Sequence, residues 1–137
     1  MHLIPSALTD QERSFTEARD ALGRCGFSLG GNWDYDHGTF DCPLDEARKV
    51  WLRLPFHVTA GVLDGEAEDQ GTRIRFDPPF VLKHVYREGP DPEAMVGLSN
   101  AMVDQFQEPA DPDAPVEPHW VERARHKLRE AEEACLS

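Results

Sequence analysis

The sequence predicts an α+β fold: a two-layer sandwich in which an antiparallel sheet carries two main helices on one face. Three observations predict it. Apolar residues recur at helical spacing near the start of the chain, alternate at every second position through the middle, and return to helical spacing near the end. Residues 1–137 read as one domain, and a chain of that length buries roughly two-thirds of its extended surface.

The first helix is expected over residues 10–24. Thr9 caps it, Glu12 stands where a capping-box carboxylate reaches back, and Gly26 ends it. Phe15, Ala18, Leu22 and Cys25 form its apolar stripe. Odd positions are then apolar at Phe27, Leu29, Trp33 and Tyr35, and even ones at Phe40, Cys42 and Leu44. A hairpin that keeps both sets on one face must pair odd with even positions. A two-residue turn at His37-Gly38 does so, placing Tyr35 opposite Phe40 and Trp33 opposite Cys42.

The next strand is apolar at Val50, Leu52, Leu54, Phe56, Val58, Ala60 and Val62, with Pro55 and Gly61 marking a bend or bulge. Residues 72–76 return with Ile74 and Phe76 inward. Asp77-Pro78-Pro79 breaks the strand, and residues 80–86 resume it with blurred alternation, at an edge or with both faces partly covered. Residues 88–118 read as a proline-rich acidic loop with one or two helical turns around Leu98, Met102, Val103 and Phe106. A closing helix starts near Pro118 and runs to about residue 134, burying Trp120, Val121, Ala124, Leu128, Ala131 and Cys135.

Charge narrows the function. Lys and Arg number 14 against 26 Asp and Glu, a formal net charge of −12. That field repels phosphate backbones and anionic lipid, so neither nucleic acid nor a membrane is an expected partner. No apolar run approaches the ~20 residues of a membrane span. Three cysteines, Cys25, Cys42 and Cys135, show neither disulfide nor zinc-site spacing. With no secretion signal in the sequence, the expected location is the cytoplasm.

The hairpin register has a chemical consequence. It lays Asp34 across from Asp41 on the sheet face away from the core, with Asp36 beside them. Opposed like charges destabilise a sheet unless neutralised. Arg53, opposite or diagonal to Asp41, offers an internal neutraliser and a cross-strand charge ladder. A divalent cation on Asp34, Asp36, His37 and Asp41 is the external one, and no other cofactor is expected.

Trp51, His57, Arg73 and Arg75 share the same outer face, a composition suited to a partner, a flat ligand or self-association. Ordinary packing of long side chains over the sheet is the stronger explanation of it. His119, Glu122 and His126 share one side of the last helix, but that side is solvated. Asp111, Asp113 and Glu122 mimic a calcium loop, yet Pro115 and Val116 stand where a ligand and glycine belong. Cys25 and Cys42 fall on apolar stripes, which argues against nucleophiles. No catalytic residue is expected.

Four blocks together carry a family resemblance: GGNWDYDHG at 30–38, LRLPF at 52–56, PPFVLKHVY at 78–86 and QFQEPADPDA at 105–114. In these the chain resembles the YugN-like family of small proteins from Bacillus-type bacteria, over nearly its whole length. The resemblance implies a compact α+β sandwich of unknown function, with no catalytic residues to carry over. Under it, the hairpin tip and residues 108–113 are expected to frame one acidic site, with Glu108, Asp111 and Asp113 joining Trp33, Asp34, Tyr35, Asp36 and His37. Alternatively the proline-rich loop plugs an end of the core through Phe106.

Two functions follow. The favoured one is a non-catalytic binding or protein-interaction module, self-associating or joined to a protein partner. The other is a metal-dependent hydrolase built on the acidic hairpin.

Overall fold

In the computed structural model, the described residues are 1–31, 33–63, 71–84 and 115–136. Their order is β1 (His2–Leu3), β2 (Glu12–Ser14), α1 (Phe15–Arg24), β3 (Ser28–Leu29), β4 (His37–Pro43), β5 (Val50–Ala60), β6 (Arg73–Phe76), β7 (Phe80–Lys83) and α2 (Pro118–Leu136). The strands form one antiparallel sheet and the helices pack together, giving the expected α+β architecture.

Strand β5 organises the sheet. Its even positions are apolar and buried through Phe56, and β4 pairs along one edge from His37↔His57 to Pro43↔Trp51. The other edge is shared: β7 takes Val50 to Arg53 and β6 takes Phe56 to Ala60, with β1 and β2 outside them. Between β6 and β7, the Asp77 amide reaches the Pro55 carbonyl (2.9 Å). Phe76 pairs Phe56 but Phe80 pairs Arg53, so the diproline adds one residue and reverses the inward phase. The alternation after Pro79 is blurred because both faces of the strand are covered: neighbouring Val81 and Leu82 are both buried, and Phe80 and Lys83 are half-buried. Strand β7 lies between β5 and β1, not at an edge.

A similar slip corrects the end of β5. The register shifts between Val58 and Ala60, leaving Thr59 as the extra residue of a bulge. Ala60 and Val62 therefore turn outward, and Leu63 is the residue that enters the core.

Helix α1 starts five residues later than expected. Glu12–Ser14 is a strand paired with β6, so its backbone is committed to the sheet. The cap is Ser14, whose hydroxyl accepts from the Glu17 amide, rather than Thr9. The Glu12 carboxylate meets Arg73 (2.9 Å) instead of closing a capping box. Gly26 (φ 93°) ends the helix as expected: its amide bonds the Gly23 carbonyl and that of Phe27 bonds Leu22, a Schellman closure.

Helix α2 has the expected bounds within two residues and buries Val121, Ala124, Leu128 and Ala131. Lys127 donates to the Cys25 carbonyl at the C-terminal end of α1 (3.0 Å), a cation at a negative helix pole. Phe15, Phe40 and Phe56 pack at the centre of the core, ring centroids 5.0–6.0 Å apart.

Candidate docking site

The β3–β4 connection differs from the expected hairpin. Ser28 pairs Asp41 and Leu29 pairs Phe40, so Leu29 stands where Tyr35 was expected, a slip of six residues. The connection is the seven residues 30–36, and His37-Gly38 lies within β4 rather than in a turn. Because six is even, every side chain keeps its face, and alternation alone does not distinguish the two registers.

Asp34 and Asp41 are consequently separated. Asp41 is buried on the sheet between Ser28 and Arg53, its Oδ1 accepting from the Thr39 hydroxyl (2.9 Å) and lying 3.9 Å from Arg53 Nε. Gly30 closes over it: a Cβ there would stand 2.5 Å from Asp41 Oδ2. Burial pushes the Asp41 carboxyl above the ordinary aspartate range, against the opposing pull of Arg53 and Thr39. The expected Asp41–Arg53 contact is present, but Asp34 takes no part in that ladder. Sequence reasoning missed His84, whose Nε2 lies 3.3 Å from Arg53 Nη2. Burial, and then Arg53, lower its pKa. No local pattern connects positions 53 and 84: β5–β7 pairing sets Arg53 opposite Phe80 and the His84 amide on the Lys49 carbonyl, and the long arginine side chain covers the distance between them.

The remaining hairpin residues gather at the tip. The Asp34 amide bonds the His37 carbonyl (2.7 Å), and Asp34 Oδ1 accepts from the Tyr35 amide (2.6 Å). The connection is tied to the end of β5 by Val58 N to Asp36 O (2.7 Å) and Leu63 N to Tyr35 O (3.0 Å). Trp33 lies over Gly38, whose missing Cβ would meet Trp33 Cβ at 3.1 Å and Phe56 Cζ at 2.8 Å. Trp33 is nevertheless 38% exposed, Tyr35 75% and neighbouring Val62 57%. Asp34, Asp36 and His37 offer oxygen or nitrogen atoms within 4.8 Å of one another, and His37 Nδ1 stands 2.7 Å from Asp36 Oδ1. Asp41 does not belong to this trio, which corrects the four-residue cation site. Glu108, Asp111 and Asp113, with Phe106, lie outside the described residues.

On the outer sheet face, the polar groups are committed within the chain. Trp51 Nε1 donates to the Arg48 carbonyl (2.8 Å), and His57 Nδ1 is 3.0 Å from Asp77 Oδ1. Arg73 and Arg75 converge on Glu12, whose carboxyl the Arg73 hydrogen bond holds below the usual range. His119, Glu122 and His126 are exposed along α2. Four grooves of 250–500 Å³ flank the helices and the β4–β5 turn; tip residues line none of the four. No helix among the described residues is long and apolar enough to cross a membrane.

Comparison with known proteins agrees with this architecture. The chain is 31% identical over 134 residues to a protein of Bacillus subtilis (strain 168) called uncharacterized protein YugN, covering 97% of each. Among solved structures, it resembles the uncharacterized conserved protein YugN of Geobacillus kaustophilus HTA426 at a TM-score of 0.70 and 17% identity, covering 99% of this chain and 96% of that one. The second likeness is one of fold. The model of the YugN-like family matches residues 3–135, and the chain belongs to that family.

Proposed function

We propose that the protein is a non-catalytic interaction module that docks a partner through the tip formed by residues 30–37 and the adjoining end of β5. One observation carries this reading: Trp33, Tyr35 and Val62 are exposed at the same end of the sheet, where backbone hydrogen bonds tie residues 34–36 to β4 and to the end of β5. Large apolar groups grouped in water favour an interface, and a preformed loop loses little entropy on binding. Free thiols at Cys25, Cys42 and Cys135 support placing this activity in a reducing cytoplasm.

Self-association is the finer question. A two-fold contact through the tip would bring the Asp34 and Asp36 carboxylates of both copies into one interface, so the outer sheet face around Trp51 is the better place for a homodimer. The hydrolase reading loses ground because Asp41 is held by Thr39 and lies beside Arg53, leaving three exposed groups without a neighbouring cleft in the four grooves described.

Photo-crosslinking in cells tests the proposal, with a benzophenone side chain replacing Tyr35 or Trp51. The proposal expects adducts from position 35. Adducts at twice the chain's mass from position 51 would establish the sheet-face homodimer. Adducts from position 51 with none from 35 would overturn the tip as the docking surface.

A further inference from the structure

We infer that the tip's partner is a cationic protein segment carrying arginine, stacked on Trp33 and Tyr35 and ion-paired to Asp34 and Asp36. This deepens the docking reading and rests on it. Large exposed hydrophobics among the described residues are Met1, Leu3, Trp33, Tyr35 and Val62. The last three lie at one end of the sheet, since the Leu63 and Val58 amides bind the connection there.

Residues 30–36 carry two carboxylates and no lysine or arginine. The basic residues beside them in the sheet register, His57 and Arg75, already face Asp77 and Glu12. Among the described residues, acid and aromatic groups are thus presented together with no paired basic group other than His37, which faces Asp36. A guanidinium satisfies both at once: its flat face stacks on an aromatic ring while its edge donates two parallel bonds to a carboxylate. Lysine, a compact and strongly hydrated charge, satisfies them less well. The net charge of −12 attracts such a segment and repels nucleic acid.

Calorimetric titration with an arginine hexapeptide and a lysine hexapeptide tests the partner's chemistry. The arginine peptide should bind tighter by at least about 3-fold, and Tyr35→Ala and Trp33→Ala together should weaken it about 5- to 30-fold. Because Trp33 touches the core at Gly38, Tyr35→Ala alone provides the variant in which folding is not at issue. Equal binding of the two peptides, or arginine binding indifferent to Tyr35, would reduce the effect to diffuse charge attraction and overturn the inference.

A random dodecapeptide library, selected on the native chain and counter-selected on Tyr35→Ala, separates the inference from the reading beneath it. Tip-dependent peptides rich in arginine support both. Tip-dependent peptides without cations overturn the inference and leave the docking surface standing; no tip-dependent peptide overturns both. A melting shift with zinc chloride alone, abolished in Asp34→Asn/Asp36→Asn, would assign the acids to a metal and also overturn the inference.

Discussion

Gly30→Ala is the sharpest probe of the connection that creates the site. Gly30 is not among the positive-φ glycines, so alanine meets no backbone penalty there. The cost is steric: the new Cβ would stand 2.5 Å from Asp41 Oδ2, 3.0 Å from Thr39 Cγ2 and 3.3 Å from Asp41 Cγ. The carboxylate resists moving because Thr39 holds its Oδ1 and Arg53 lies beside it. Overpacking of this kind costs about 1–3 kcal/mol. For a domain of this size that corresponds to a melting temperature lower by about 3–10 °C.

The assay is thermal and urea unfolding followed by circular dichroism, repeated in an Asp41→Ala background where the obstructing oxygens are gone. There Gly30→Ala should cost about 1 kcal/mol less, a direct coupling between positions 30 and 41. If the strands closed instead at His37-Gly38, position 30 would face position 45. Alanine would then be neutral or stabilising through the unfolded state, by about 0.4–1 kcal/mol. An unchanged or raised melting temperature, without coupling to Asp41, would refute the register.

Four further outcomes are expected. Gly38→Ala should cost about 1–3 kcal/mol in urea unfolding, since its Cβ would meet Phe56 Cζ at 2.8 Å inside the packed phenylalanine trio. Ser14→Ala should cost about 1 kcal/mol and Thr9→Ala less, because Ser14 caps α1. Tyr35→Ala should change stability by no more than about 0.5 kcal/mol while measurably weakening partner binding, which separates docking from folding. The Asp41 carboxyl titrates higher folded than unfolded, so its ionisation opposes folding. The stability of the native chain relative to Asp41→Asn should be greatest below the unfolded value of about 3.9 and shrink as pH rises through the folded one. A difference that grows with pH would mean that the Arg53 pair outweighs burial.

The sheet's inward face was legible because Phe40, Cys42, Leu52, Leu54 and Phe56 obey a strict period of two. The C-terminal helix was legible from Pro118 and the Val121–Ala124–Leu128–Ala131 stripe. What alternation cannot carry is the absolute alignment of two strands: the six-residue slip at β3–β4 preserves every face, so Trp33 and Tyr35 read as strand residues when they belong to an exposed connection. Single-residue insertions act in the opposite way. Thr59 and the diproline each reverse the phase, sending Val62 to the surface and bringing Val81 inward. The Asp41–Arg53 contact was readable because neighbouring strands set it. Ser14 was not, because a strand of three residues takes over what reads as the first turn of a helix.

The most direct test of the central claim is amide chemical-shift mapping of the labelled chain titrated with the arginine hexapeptide. If one end of the sheet does the binding, the shifts concentrate at residues 33–38 and 58–63. Shifts spread instead over the acidic groups of the helices, at Glu17, Asp20, Glu130 and Glu133, would show the whole chain's charge at work and contradict the account.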